Sequence, residues 1–132
     1  RWSSSVDEVE PNGEKPSAQL IVGDDVTVRA DITPVGARDV YELRNSTGVD
    51  RLAYAVAIGP GAAPWCPWPL DLAVLIRDDQ FNVTDYVDGG AGLCPLVDNL
   101  PLAAGTSVYF ELLDQGDDDT AVYELTIGSW QP

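Results

Sequence analysis

The side chains that do chemistry in proteins are supplied unevenly in this chain. Its 132 residues hold 22 Asp and Glu, 7 Lys and Arg, two cysteines and no histidine. Without histidine there is no Ser–His or Cys–His pair to activate a nucleophile, and imidazole-based zinc sites are excluded. A carboxylate pair of the glycosidase kind is compatible with so many acids, but for that reason any one spacing says little. No acid has flanking residues that point to burial and a raised pKa, so the chain reads as a non-enzyme.

Thiols and indoles remain. Cys66 and Cys94 form an even pair in a small acidic chain and read as one disulfide in an oxidising compartment, two buried thiols being the alternative. Closing a loop of about 28 residues contributes roughly 3.5 kcal/mol in the chain-entropy account. In Trp65-Cys66-Pro67-Trp68 the prolines stiffen a loop that displays two indoles, suited to stacking on a sugar ring or gripping a peptide. The same indoles, like Trp2 and Trp130, also fit docking against the fold, the commoner fate of large apolar groups. Asn45-Ser46-Thr47 and Asn82-Val83-Thr84 match the glycosylation pattern.

Strands are the elements available to position these groups. Around Cys66 and Cys94, the stretch 70–77 places aliphatics at Leu70, Leu72, Val74 and Ile76, the period-2 signature of a strand with one face in a core. Further strands are expected over 19–22, 26–32, 39–43, 52–58, 81–86, 107–113 and 121–127, the last two as a hairpin around a solvated tip at 114–119. In 52–58 large residues alternate with alanine, which predicts a mid-sheet strand with close packing on its alanine side. Residues 59–69, rich in proline, read as a loop. About nine short strands and no convincing helix predict an all-β, two-sheet antiparallel β-sandwich with one disulfide. Residues 1–17 read as an extended N-terminal arm and 18–132 as the sandwich domain.

Charge narrows the partners. A net charge of -15, with Lys15 the sole lysine, repels phosphate backbones and anionic headgroups, so neither nucleic acid nor membrane insertion is expected. Hydrophobic residues make up 45% of the chain, and no apolar run approaches the roughly 18 residues needed to span a bilayer. An Asp-rich, Lys-poor composition suits saline surroundings and equally an ordinary exported acidic protein. The chain has no methionine and opens on Arg1-Trp2, as expected of a processed product or excised domain.

Several stretches in a fixed order carry a resemblance: Glu8-Val9-Glu10-Pro11-Asn12 followed by Ala18-Gln19, then Asp39-Val40-Tyr41-Glu42-Leu43, then Leu70-Asp71-Leu72, and Ala104-Gly105-Thr106 through Tyr123-Glu124-Leu125. Over residues 6–127 the chain resembles the bacterial pre-peptidase C-terminal domain, a family that includes collagen-binding modules of secreted clostridial collagenases. The proline-rich loop and the disulfide depart from that family. The resemblance implies a jelly-roll-like sandwich, without catalysis of its own, that accompanies secreted hydrolases or binds an extracellular polymer or protein. It also implies calcium ligands on the arm, carried here by Glu8, Glu10, Asn12 and Asp39, with Asp31 as a substitute for a missing acid. The expected contact is a sandwich face or the Trp65/Trp68 loop, at a secreted, extracellular or cell-surface location. The alternative is a structural subunit of a surface layer, filament or envelope complex that self-assembles through its N-terminal arm.

Overall fold

Residues 107–114 are buried on both faces, whereas a buried side chain alternates with a more open one through 25–32, 51–58 and 122–127 in the computed structural model. It describes residues 4–8, 17–21, 25–32, 37–58, 72–88, 94–114 and 121–132. Among these are ten strands: β1 (Ser4–Asp7), β2 (Gln19–Ile21), β3 (Asp25–Ile32), β4 (Asp39–Arg44), β5 (Arg51–Ile58), β6 (Leu72–Arg77), β7 (Val83–Val87), β8 (Leu96–Leu102), β9 (Ser107–Asp114) and β10 (Ala121–Trp130). They form two five-stranded sheets, sheet A ordered β1-β3-β10-β5-β8 and sheet B ordered β2-β4-β9-β6-β7. Between the sheets lies one apolar core. It takes Val26, Val28 and Ile32 from β3, Leu125 and Ile127 from β10, Leu72, Val74 and Ile76 from β6, and Val108, Phe110 and Leu112 from β9.

The all-β sandwich is as expected, with three differences in detail. Ten strands are present where about nine were expected. β8 escapes notice because Asp98, Asn99 and Pro101 interrupt its pattern; Asn99 has a φ of 51° and the register against β5 shifts between Ala53 and Ala55. Such irregularity is tolerated at a sheet edge, where proline costs no ladder bond. Second, the sheets are not wholly antiparallel, since β1 runs parallel to β3 and β2 parallel to β4. The chain alternates between sheets from β1 to β4 and reverses at each crossing, so strands two apart point the same way. Third, β9 and β10 do not make a hairpin. They lie in opposite sheets, and Asp114, expected in a solvated tip, is 1% exposed at the end of β9. Leaving β1 and β2 aside, β3 to β10 order as β3-β10-β5-β8 and β4-β9-β6-β7, the interleaving of a jelly roll.

β5 shows how residue size sets sheet spacing. Ala53, Ala55 and Ala57 point into the core at 0%, 1% and 2% exposure, so their larger neighbours Leu52, Tyr54, Val56 and Ile58 must face outward. Residues 4–7, within the expected arm, are the edge strand β1, and Val6 packs against the core.

Candidate functional site

The outward face of sheet A carries an apolar band. Leu52 lies between Trp130 of β10 and Pro101 of β8, and Val56 between Thr126 and Leu96. Trp130 is 39% exposed and Leu96 56%, while Leu52, Tyr54, Val56 and Ile58 are half-buried among their neighbours. The Tyr54 hydroxyl donates to Asp25 Oδ1 at 2.6 Å, which orients its ring along the band. Thr27 and Thr126 share a hydroxyl bond of 3.0 Å across β3 and β10. A contiguous apolar surface rimmed by polar groups is the usual form of a contact site, and Trp and Tyr contribute area there at low conformational cost. Trp130 is thus partly open to solvent, not docked in the core.

The opposite face is built otherwise. On β9 the outward residues Tyr109, Glu111 and Leu113 are buried, as are Val40 and Ala73 beside them. Glu111 Oε2 accepts from Arg38 at 3.0 Å and Oε1 from Arg77 at 2.9 Å. Arg77 also lies 4.4 Å above the Phe81 ring, which meets Tyr109 edge-on at 5.1 Å. Both carboxylate oxygens being held by guanidiniums, Glu111 is arranged for structure and not for proton transfer.

Of the residues ascribed to calcium, Glu10 and Asn12 lie outside the described residues. Glu8 follows β1: its amide donates to the Arg29 carbonyl at 2.9 Å and its Oε1 accepts from the Asp31 amide at 3.1 Å. Asp39 is fully buried and faces the core, where its Oδ2 accepts from the Tyr123 hydroxyl at 2.6 Å. Tyr41 lies 2.7 Å from Tyr123, and because the Tyr123 proton is committed to Asp39, Tyr41 is the donor. Burial, then the proximity of Tyr41 and Asp39, raises the Tyr123 pKa well above its ordinary value. This bridge between sheets escaped the sequence reading, although two tyrosines at inward positions of alternating strands are a signal for it. No three metal-ligating side chains cluster among the described residues, so Glu8 and Asp39 alone do not compose a calcium site.

Trp65, Trp68 and Cys66 lie outside the described residues. Cys94 is buried and is not a free thiol. The first glycosylation pattern is sealed. Asn45 is 2% exposed, and its Nδ2 donates to the carbonyls of Val49 and Leu102 at 2.8 and 2.9 Å, spending both amide protons. Asn82 is exposed.

No family model matches the chain, and no curated protein does. Among solved structures it is similar to the pre-peptidase C-terminal domain of a collagenase from Bacillus anthracis, with 14% sequence identity and a TM-score of 0.60 over 83% of this chain and 93% of that one. The two share a fold.

Proposed function

We propose that this chain is a non-catalytic accessory module of an exported protein that holds a partner protein or an insoluble polymer on the outer face of sheet A. The reading rests on one observation: four large side chains stand outward on β5, flanked by Trp130 and Leu96. The shared fold with a domain of a collagenase supports an accessory role and an extracellular location. Trp65 and Trp68 are proposed as a second contact, a Cys66–Cys94 bridge as the clamp on their loop, and Glu8, Glu10, Asn12 and Asp39 as calcium ligands that lock the arm.

Cosedimentation with insoluble collagen, chitin and peptidoglycan tests this. With a Trp130→Ala/Leu96→Asp double variant that melts like the parent, binding to the retained polymer is expected to fall at least about tenfold, as for a central anchor. Unchanged binding with that variant, and loss with Trp65→Ala/Trp68→Ala, moves the contact to the loop. A parent chain that binds none of the three and no co-exported protein sinks the reading.

Self-assembly is the second reading, favoured by β1. This strand is four residues long, at the edge of sheet A and parallel to β3 of its own chain, a pairing that another copy's arm can reproduce. Removal of residues 1–8 is then expected to convert oligomer to monomer on sizing.

A further inference from the structure

A cleft of about 380 Å³ opens between the sheets where the β6–β7 turn meets the β8–β9 link. Its floor is aliphatic: Ile76, Leu102 and Val108 are core members and Leu100 packs against them. Asp78 and Asp79 are at its mouth. Backbone amides fix both, for Asp78 Oδ1 accepts from Gln80 and Asn82 at 2.9 Å and Asp79 Oδ1 from Ser107 at 2.9 Å. The Oδ2 atom of each makes no hydrogen bond among the described residues. Of the nearby guanidiniums, Arg77 is committed to Glu111 and the Phe81 carbonyl, and Arg44 to Ser107 Oγ and the Gly105 carbonyl on the outer side. Glu42 accepts from Ser107 Oγ, and Glu111 is held by Arg38 and Arg77 on the outer face of sheet B; in the lining of the cleft itself Asp78 and Asp79 stand against Arg77, so the mouth is net negative.

We propose that this cleft is a pocket for a basic side chain of a partner protein, its aliphatic stem on the floor and its cationic head between Asp78 and Asp79. The chemistry selects this occupant from both sides. An anion meets like charge, while a neutral alkyl group dehydrates two carboxylates and offers them nothing in return. A lysine or arginine satisfies floor and mouth together, because its stem is apolar and its end is charged. A chain of net charge -15 also draws basic partners toward itself before contact. The assignment does not depend on what the outer face of sheet A holds.

The test is an amide chemical-shift titration of the whole chain at low salt with the peptide Ac-Gly-Lys-Gly-NH2, its arginine counterpart, and a norleucine control. Saturable shifts are expected at Thr106, Ser107 and Ala103 for the basic peptides, with the control at least about tenfold weaker. Asp78→Asn/Asp79→Asn keeps the acceptors that hold Gln80, Asn82 and Ser107 but removes the charge, and is expected to weaken the basic peptides at least about fivefold. Equal binding of norleucine, shifts spread evenly over the acidic surface, or a neutralised variant that binds as before would each overturn the proposal. A preference between the two basic peptides decides whether lysine or arginine is the natural occupant.

Discussion

Tyr123 and Glu111 show what single side chains contribute to this fold. The Tyr123 hydroxyl bridges Tyr41 and Asp39 inside the sandwich, so Tyr123→Phe removes a donor to a buried carboxylate and the acceptor of a second hydroxyl. The expected cost is about 1–3 kcal/mol in urea unfolding, with Tyr41→Phe milder because Asp39 keeps its donor. The raised Tyr123 pKa gives a pH signature. The folded chain retains a proton that the unfolded phenol surrenders near its ordinary value of 10.0, so this share of stability is complete below that pH and disappears as pH rises toward the folded value. Stability above pH 10 is therefore expected to fall more steeply in the parent than in Tyr123→Phe; equal slopes would exclude the bridge as the source. Glu111→Ala leaves Arg38 and Arg77 without their shared carboxylate. As both guanidiniums are partly in water, we expect a loss of about 2 kcal/mol by denaturant titration, below the range for a fully buried pair.

At the scale of elements, β5 decides the spacing of the sheets. Its inward alanines leave no space for a longer side chain, so Ala55→Leu is expected to cost about 1–3 kcal/mol through overpacking, visible as a lower midpoint in guanidinium with an unchanged slope. The equivalent change on the other face, Val56→Leu, is expected to be nearly neutral. Both sides of β5 were legible in its alternation, down to the close packing on alanine. What could not be read was that the large residues face outward, since a run apolar on both faces looks the same whether a second layer covers it or a partner does. β6 read correctly for the same reason in simpler form, with Leu72, Val74 and Ile76 inward. β1 did not, because four residues with one aliphatic, Val6, carry too little pattern to mark a strand.

For the molecule as a whole, the net charge of -15 sets how stability responds to solvent. Self-repulsion among surface carboxylates acts over roughly 10 Å at 0.1 M salt and about 3 Å at 1 M. The melting temperature is expected to rise by about 3 °C or more between these conditions, and a flat response would show that the repulsion is already neutralised locally. Calcium is separable from this general effect. If it locks the arm, millimolar calcium raises the midpoint beyond what equal ionic strength of sodium does, and Glu8→Gln removes the increment. A midpoint that is the same in calcium and in chelator removes the metal from the account.

Alternation, punctuation by proline and glycine, and the absence of histidine and helical periods were enough, from the sequence alone, to establish a β-sandwich built from short strands and to disfavour the usual catalytic groups. Those features are local, and each residue carries its own share of them. Which strand lies beside which, that β9 and β10 part into opposite sheets, that Asp39 turns inward to a tyrosine and that Asp78 and Asp79 border a cleft were decided only by the tertiary structure. Backbone hydrogen bonds are alike for every pairing, so the choice among partners comes from how all the apolar faces pack at once.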